Sequence, residues 1–196
     1  MNENLCELVV ILDRSGSMST IWSDMIGGLN SFVNEQKKVP GEAKFTLVVF
    51  DTEYKMIYGG IDLHRVSYID GNQFPPRSAT ALLDAVGHTI DEVGARLANL
   101  PEEERPRKVI VTIITDGVEN ASNKYTRQTI ADKIKHQAEV YKWEFQYLGA
   151  NQDAITVGGK LNIANNFTWD STTSAGVKRM SAVYRTSVTH SRTKKD

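Results

Sequence analysis

Residues 9–20 read VVILDRSGSMST. An aliphatic run that begins at Leu8 stops at Asp13, and two serines, Ser15 and Ser17, follow on either side of Gly16. Two physical readings compete. In the first, Asp13 and its serines form a turn that caps a helix starting near Ser19, since short oxygen-bearing side chains satisfy the free amides of a first helical turn. In the second, the oxygens are gathered at a strand tip to hold something, with Gly16 supplying a permissive backbone at the bend.

Working outward, short β-branched and aliphatic runs alternate with segments of helical spacing, the pattern of βαβ units around a mainly parallel sheet. After the first strand, Ile21, Trp22, Met25, Ile26, Leu29, Phe32 and Val33 recur at steps of three and four, one apolar helical stripe that Pro40-Gly41 stops. Trp22 and Met25 therefore belong to a core stripe. Phe45 to Phe50 reads as a second buried strand, and Glu53 to Tyr58 follows too closely for a helical crossover, which predicts an antiparallel edge partner. Residues 59–79 read as an irregular connection with one short helix near Leu63 to Ile69. Leu82, Leu83, Val86, Ile90, Val93 and Leu97 mark the next helix, and the acidic run at Glu102 to Glu104 is a solvated link. Val109 to Ile114, the most uniformly apolar run in the chain, suits a central strand covered on both faces, and it ends at Thr115-Asp116-Gly117. Ile130, Ile134 and Tyr141 predict a helix, Phe145 to Leu148 a strand, Ile155 to Leu161 a short helix and Phe167 to Trp169 a last strand. Val177, Met180, Tyr184 and Val188 predict the final helix, leaving 191–196 as a fraying polar tail and 1–190 as one domain. The expected fold is α/β, Rossmann-like and doubly wound: about six strands, mostly parallel, one antiparallel edge strand, and helices on both faces.

Composition narrows the functional classes. The chain has 196 residues, 40% hydrophobic and 24% charged, with a formal net charge of −1, the balance of one globular domain and not of a nucleic-acid binder. Cys6 is the only cysteine, which excludes an internal disulfide and a cysteine-clustered zinc site; it reads as a small buried apolar group and points to a cytoplasmic setting. The Leu8 to Leu12 run is too short for a signal core or a membrane span. His64, His88, His136 and His190 lack metal-ligand spacing. The segment Ala154 to Leu161 superficially resembles a phosphate loop but has Ala154 in the leading glycine position and Leu161 in the Ser/Thr position.

Ligands of open α/β sheets bind beyond the carboxyl ends of the strands, where strand order reverses. Two apolar strands end in an acid, at Asp13 and at Asp116. Placed side by side with crossovers departing in opposite directions, they bring both carboxylates into one crevice. Asp13, Ser15, Ser17 and Asp116 are hard oxygen donors, a set suited to Mg²⁺ or Mn²⁺, and Mg²⁺ takes six oxygens at roughly 2.0–2.1 Å while keeping several waters. Arg14, between two of these residues, either steers acidic partners or points into solvent. Asp51, also at a strand end, reads as a hairpin turn residue in preference to a member of the crevice rim, and Asn120, Asn151 and Asp153 read as loop or capping residues.

With Asp13-x-Ser15-x-Ser17 after the first strand and Thr115-Asp116-Gly117 after a central one, nearly the whole chain resembles a von Willebrand factor type A domain. The metal-ion-dependent adhesion site of that family combines D-x-S-x-S, a threonine from a separate loop and a second aspartate. The threonine that matches by order is Thr80, just before Ala81-Leu82-Leu83-Asp84, where it also suits an N-cap. The family often has glycine two residues before this threonine; here the residue is Ser78. The resemblance implies that the hydroxyls of Ser15, Ser17 and Thr80 coordinate the ion, with Asp13 and Asp116 acting directly or through water. Neutral hydroxyls leave the cation under-neutralised, so it attracts a Glu or Asp carboxylate from a partner protein. The resemblance further implies a stand-alone intracellular module of bacterial or phage type, in the company of ATPases or multiprotein assemblies, while the charge balance and the short apolar run argue against nucleic acid and membrane as partners. Binding, not turnover, is the expected output.

Two alternatives stand beside it. A Mg²⁺-dependent phosphohydrolase with Asp13 as nucleophile generally needs a second acid two residues on, where this chain has Ser15. A scaffold with a purely structural metal site shares the same motif. A serine hydrolase is disfavoured, because residues 13–17 are not G-x-S-x-G.

Overall fold

The first strand is the axis of the molecule. In the computed structural model, which describes residues 1–150 and 154–194, β1 (Asn2–Asp13) pairs in parallel with β2 (Glu42–Phe50) on one side and β4 (Pro106–Thr115) on the other. The sheet has six strands in the order β3-β2-β1-β4-β5-β6. β3 (Tyr54–Asp62) is the antiparallel edge, and β5 (Glu144–Ala150) and β6 (Asn165–Trp169) complete the other half.

Strand alternation divides the core into two layers. Leu8, Val10 and Leu12 pack with α1 (Trp22–Gln36) and α5 (Ser174–Thr193) on one face. Val9 and Ile11 pack with α2 (Leu82–Ala98), α3 (Arg127–Tyr141) and the short α4 (Ala154–Lys160) on the other. Because both faces are covered, β1 is apolar without a break from Leu8 to Leu12 and β4 is broken only by Thr112 from Val109 to Ile114, and each fully buried aliphatic side chain contributes about 1.5–3 kcal/mol over an exposed one. From β1 the chain leaves through α1 towards β2, and from β4 through α3 towards β5, so the strand order reverses between β1 and β4. Asp13 and Asp116 fall at that reversal.

The structure differs from the expected elements in instructive places. β1 begins at Asn2, not Leu8, because β4 reaches back to pair Pro106 with Asn2. β3 continues past Tyr58 to Asp62 through a register shift. There Gly60 adopts φ +65° and donates its amide to Thr46 Oγ1 at 2.9 Å, a bulge that a glycine permits. The helix expected near Leu63 to Ile69 is a single 3-10 turn, Leu63–Arg65, and another follows at Gly71–Gln73. Tyr141, assigned to the buried stripe of its helix, is 59% exposed at the end of α3. Trp22 is half-buried against the core and Met25 lies within it. Residues 191–193, expected to fray, are the last turn of α5: Lys108 Nζ donates to Ser191 O at 2.9 Å and Arg192 Nη1 to Gln36 O at 2.7 Å. These cations sit where a helix end carries unsatisfied carbonyls and partial negative charge. Among the described residues, no helix is long and apolar enough to cross a membrane.

Candidate metal centre

Asp13 is the last residue of β1 and is fully buried. Its Oδ1 accepts the Ser15 amide at 2.6 Å, closing a tight turn, and its Oδ2 accepts the Thr115 hydroxyl at 2.6 Å. The turn thus forms, but it leads into a 3-10 segment, Gly16–Thr20, for which Ser15 is the N-cap position without a side-chain capping bond. Capping alone does not account for the two serines. Instead Ser15 Oγ lies 3.1 Å from Ser17 Oγ, and Ser17 Oγ donates to Asp116 Oδ1 at 2.6 Å. Two strand tips, 99 residues apart in sequence at this bond, are joined by oxygens.

Thr80 enters from the loop before α2. It is buried, and it is not the helix cap: that position is Ala81, with no side-chain bond. Its backbone is held on both sides by Asn120, whose Oδ1 accepts the Thr80 amide at 2.9 Å and whose amide donates to Thr80 O at 3.0 Å. The Thr80 hydroxyl makes no hydrogen bond to a described residue. Gly117 shows where that hydroxyl points. A Cβ added there would meet Thr80 Oγ1 at 2.6 Å, Asp13 Oδ2 at 3.3 Å and Ser15 Oγ at 3.4 Å. Three oxygens from two segments, the Asp13 turn and the Thr80 loop, surround one small space that a glycine of a third segment leaves open. All five residues, Asp13, Ser15, Ser17, Thr80 and Asp116, lie in this crevice.

Electrostatics point the same way. Burial pushes the Asp13 carboxyl above its ordinary range despite the Thr115 and Ser15 hydrogen bonds, and the nearby Asp116 charge adds to the effect. Burial also raises Asp116, against the Ser17 hydrogen bond. Two desolvated acids facing one another favour a counter-charge between them. The donor set fits a hard divalent cation: oxygens only, carboxylate and hydroxyl together, and a cradle kept free of carbon at Gly117. Only two of the five are carboxylates, which is why no group of three acidic, histidine or cysteine ligands occurs among the described residues.

Other expectations are corrected. Arg14 neither steers partners nor points into solvent; it is buried, its Nη2 3.2 Å from Asp51 Oδ2. Asp51 does form the turn, accepting the Glu53 amide at 2.6 Å, but it is also fully buried and paired with Arg77 Nε at 2.8 Å. The unusual backbone lies at Ser78, φ +63°, and not at Gly16, which is absent from the positive-φ residues. Ser78 O accepts the Gly16 amide at 3.0 Å, so the serine adopts the left-handed conformation that glycine ordinarily supplies. Asn120 braces Thr80, as a loop residue should. Asn151 and Asp153 lie outside the described residues.

Sequence reasoning missed Thr115, whose place beside Asp116 was the available signal, and the clasp built by Glu119 and Asp84. Glu119 accepts the amides of Leu83, Ala121 and Ser122 at 2.8–3.0 Å. Asp84 accepts those of Asn123, Lys124 and Tyr125, each at 2.9 Å. The loop carrying Asp116 is thereby fastened to the start of α2, next to Thr80.

The fold is that of a von Willebrand factor type A domain. A domain of that type from Catenulispora acidiphila matches 99% of this chain at 15% identity with a TM-score of 0.62. Proximal thread matrix protein 1 from the mussel byssus, in a structure whose MIDAS motif is occupied by zinc, matches 95% at 15% identity and TM-score 0.62. The von Willebrand domain of the type V pili tip protein Mfa5 from Porphyromonas gingivalis matches 96% at 9% identity and TM-score 0.62. The present chain spans 44% and 46% of the first two and 97% of the third. No protein-family profile and no curated protein matches the sequence.

Proposed function

We propose that residues 1–190 form a divalent-metal-dependent protein-binding module, in which Asp13, Ser15, Ser17, Thr80 and Asp116 hold Mg²⁺ or Mn²⁺ and a partner protein contributes an Asp or Glu carboxylate. The supporting observation is the convergence of Thr80 Oγ1, Asp13 Oδ2 and Ser15 Oγ on the space at Gly117. A bound ion supplies a positive centre that accepts one further oxygen. The protein's part is to present three neutral hydroxyls, with the two acids acting directly or through water, so that an ion whose first shell is mostly hydroxyl is left under-neutralised and open to an outside carboxylate. The zinc-occupied motif of the byssus protein supports metal binding in general. Ser15 stands where a phosphohydrolase would place its general acid, which supports binding over turnover. With Cys6 alone and buried, we place the module in the cytoplasm, serving an ATPase or a multiprotein assembly.

Thermal unfolding tests the metal. Mg²⁺ or Mn²⁺ raises the Tm of the wild type and leaves Asp116→Ala unmoved; equal shifts in both overturn the assignment. Affinity capture with and without chelator, against Asp13→Ala, tests the partner, and metal-dependent phosphatase turnover abolished in Asp13→Asn would overturn the binding reading.

A further inference from the structure

Beside the crevice lies a buried ion-pair cluster to which none of the five residues belongs. Asp51, just beyond β2, is fully buried. Its Oδ2 accepts Arg77 Nε at 2.8 Å and stands 3.2 Å from Arg14 Nη2. Glu53, more exposed, pairs with Arg77 Nη2 and lies 4.0 Å from Arg14 Nη2. The backbone follows the same route: the Arg14 amide donates to Phe50 O at 2.8 Å, the Arg77 amide to Arg14 O at 2.8 Å and the Ala81 amide to Asp51 O at 2.9 Å. Each connection reaches a segment that carries a proposed ligand. Arg14 separates Asp13 from Ser15, while Arg77 and Ala81 bracket Thr80.

The charge at Arg14 needs explaining. A guanidinium one residue from each of two ligands opposes a divalent cation. It is also incompletely satisfied, since Arg14 Nε is buried without a hydrogen-bond partner. What makes its position tolerable is the pair of carboxylates facing the two guanidiniums. We infer that Asp51 is a positioning residue of the cation site: its buried carboxylate cancels the charge of Arg14 and ties the Asp13 turn to the Thr80 loop. This rests on the cation reading above.

A counter-charge and a mere strut predict opposite signs. Removing Asp51's charge leaves the cluster net positive, whereas removing Arg77's leaves it net negative. If the cluster only braces the loops, both changes weaken cation binding. Titration of the full chain with Mn²⁺, followed by electron paramagnetic resonance of the free ion, separates the two. Asp51→Asn should weaken binding by about tenfold at low ionic strength, the scale of one uncompensated unit charge acting on a divalent ion. The loss should shrink in about 0.5 M salt. Arg77→Gln should tighten binding severalfold, and the double variant should return towards wild type. Should Asp51→Asn not fold, Arg77→Gln, whose side chain is half-exposed, carries the sign alone. Weakening by Arg77→Gln, or no change in either variant, overturns the inference while leaving the cation site intact. A wild type that binds no Mn²⁺ overturns both.

Discussion

Thr115 donates its hydroxyl to Asp13 Oδ2 at 2.6 Å and accepts the Gly117 amide at 3.1 Å, so one side chain on β4 fixes both the buried acid of β1 and the turn that follows Asp116. Thr115→Val keeps the shape and removes the donor to a buried carboxylate. The cation-free protein should lose about 1–3 kcal/mol. Urea unfolding reads this as a lower midpoint at unchanged slope; an unchanged midpoint would mean that the bond contributes nothing.

Gly117→Ala places a carbon 2.6 Å from Thr80 Oγ1. The neighbouring loops are fastened through Asn120, Glu119 and Asp84, so the threonine has little freedom to retreat. The variant should fold, yet lose most of the Mg²⁺- or Mn²⁺-induced rise in Tm. A full rise would show that the open space is not where the ion sits.

Ser78 holds φ +63°. Ser78→Gly should be tolerated within about 1 kcal/mol, relief of the left-handed strain being offset by greater chain entropy on unfolding. Ser78→Val should cost at least about 1–2 kcal/mol, because a β-branched residue is poorly accommodated there. Parallel urea titrations of the two variants make the comparison, and equal stabilities would refute the conformational argument.

Asp84 is partly desolvated, which raises its pKa, but the amides of Asn123, Tyr125 and Lys124 outweigh this and hold it below the ordinary carboxylate range. A depressed folded-state pKa gives stability that is present above the unfolded value, about 3.9, and lost as pH falls through the folded one. Wild type should therefore exceed Asp84→Asn in stability at pH 7, and the gap should close in acid. Unfolding midpoints of both proteins between about pH 2 and 7 test it; a gap independent of pH would assign the effect to shape alone.

How much of this was legible beforehand follows from how each feature is encoded. The apolarity of Val109 to Ile114, interrupted only by Thr112, announces a strand covered on both faces, and β4 is that strand. The short connection after Phe50 announced the antiparallel edge. Asp13 and Asp116 were visible because an acid that ends an apolar run interrupts a local pattern. The burial of Arg14 is not legible in the sequence, because nothing nearby says that Asp51 will pair with it and with Arg77. Likewise Gly16 looked like the flexible residue, while the positive φ fell on Ser78, where the Gly16 amide needs a carbonyl.

The sequence by itself determined the alternation of strands and helices, the two acid-tipped strands and the oxygen-bearing residues after them, because burial periodicity and turn chemistry act over a few neighbouring residues. Only the tertiary structure decided that Thr80 faces Asp13 across the space at Gly117, that Asp51 clasps two arginines, and that a serine bends where a glycine was expected. Those depend on strand register and loop closure between segments tens of residues apart, where side chains meet only once the sheet has been assembled.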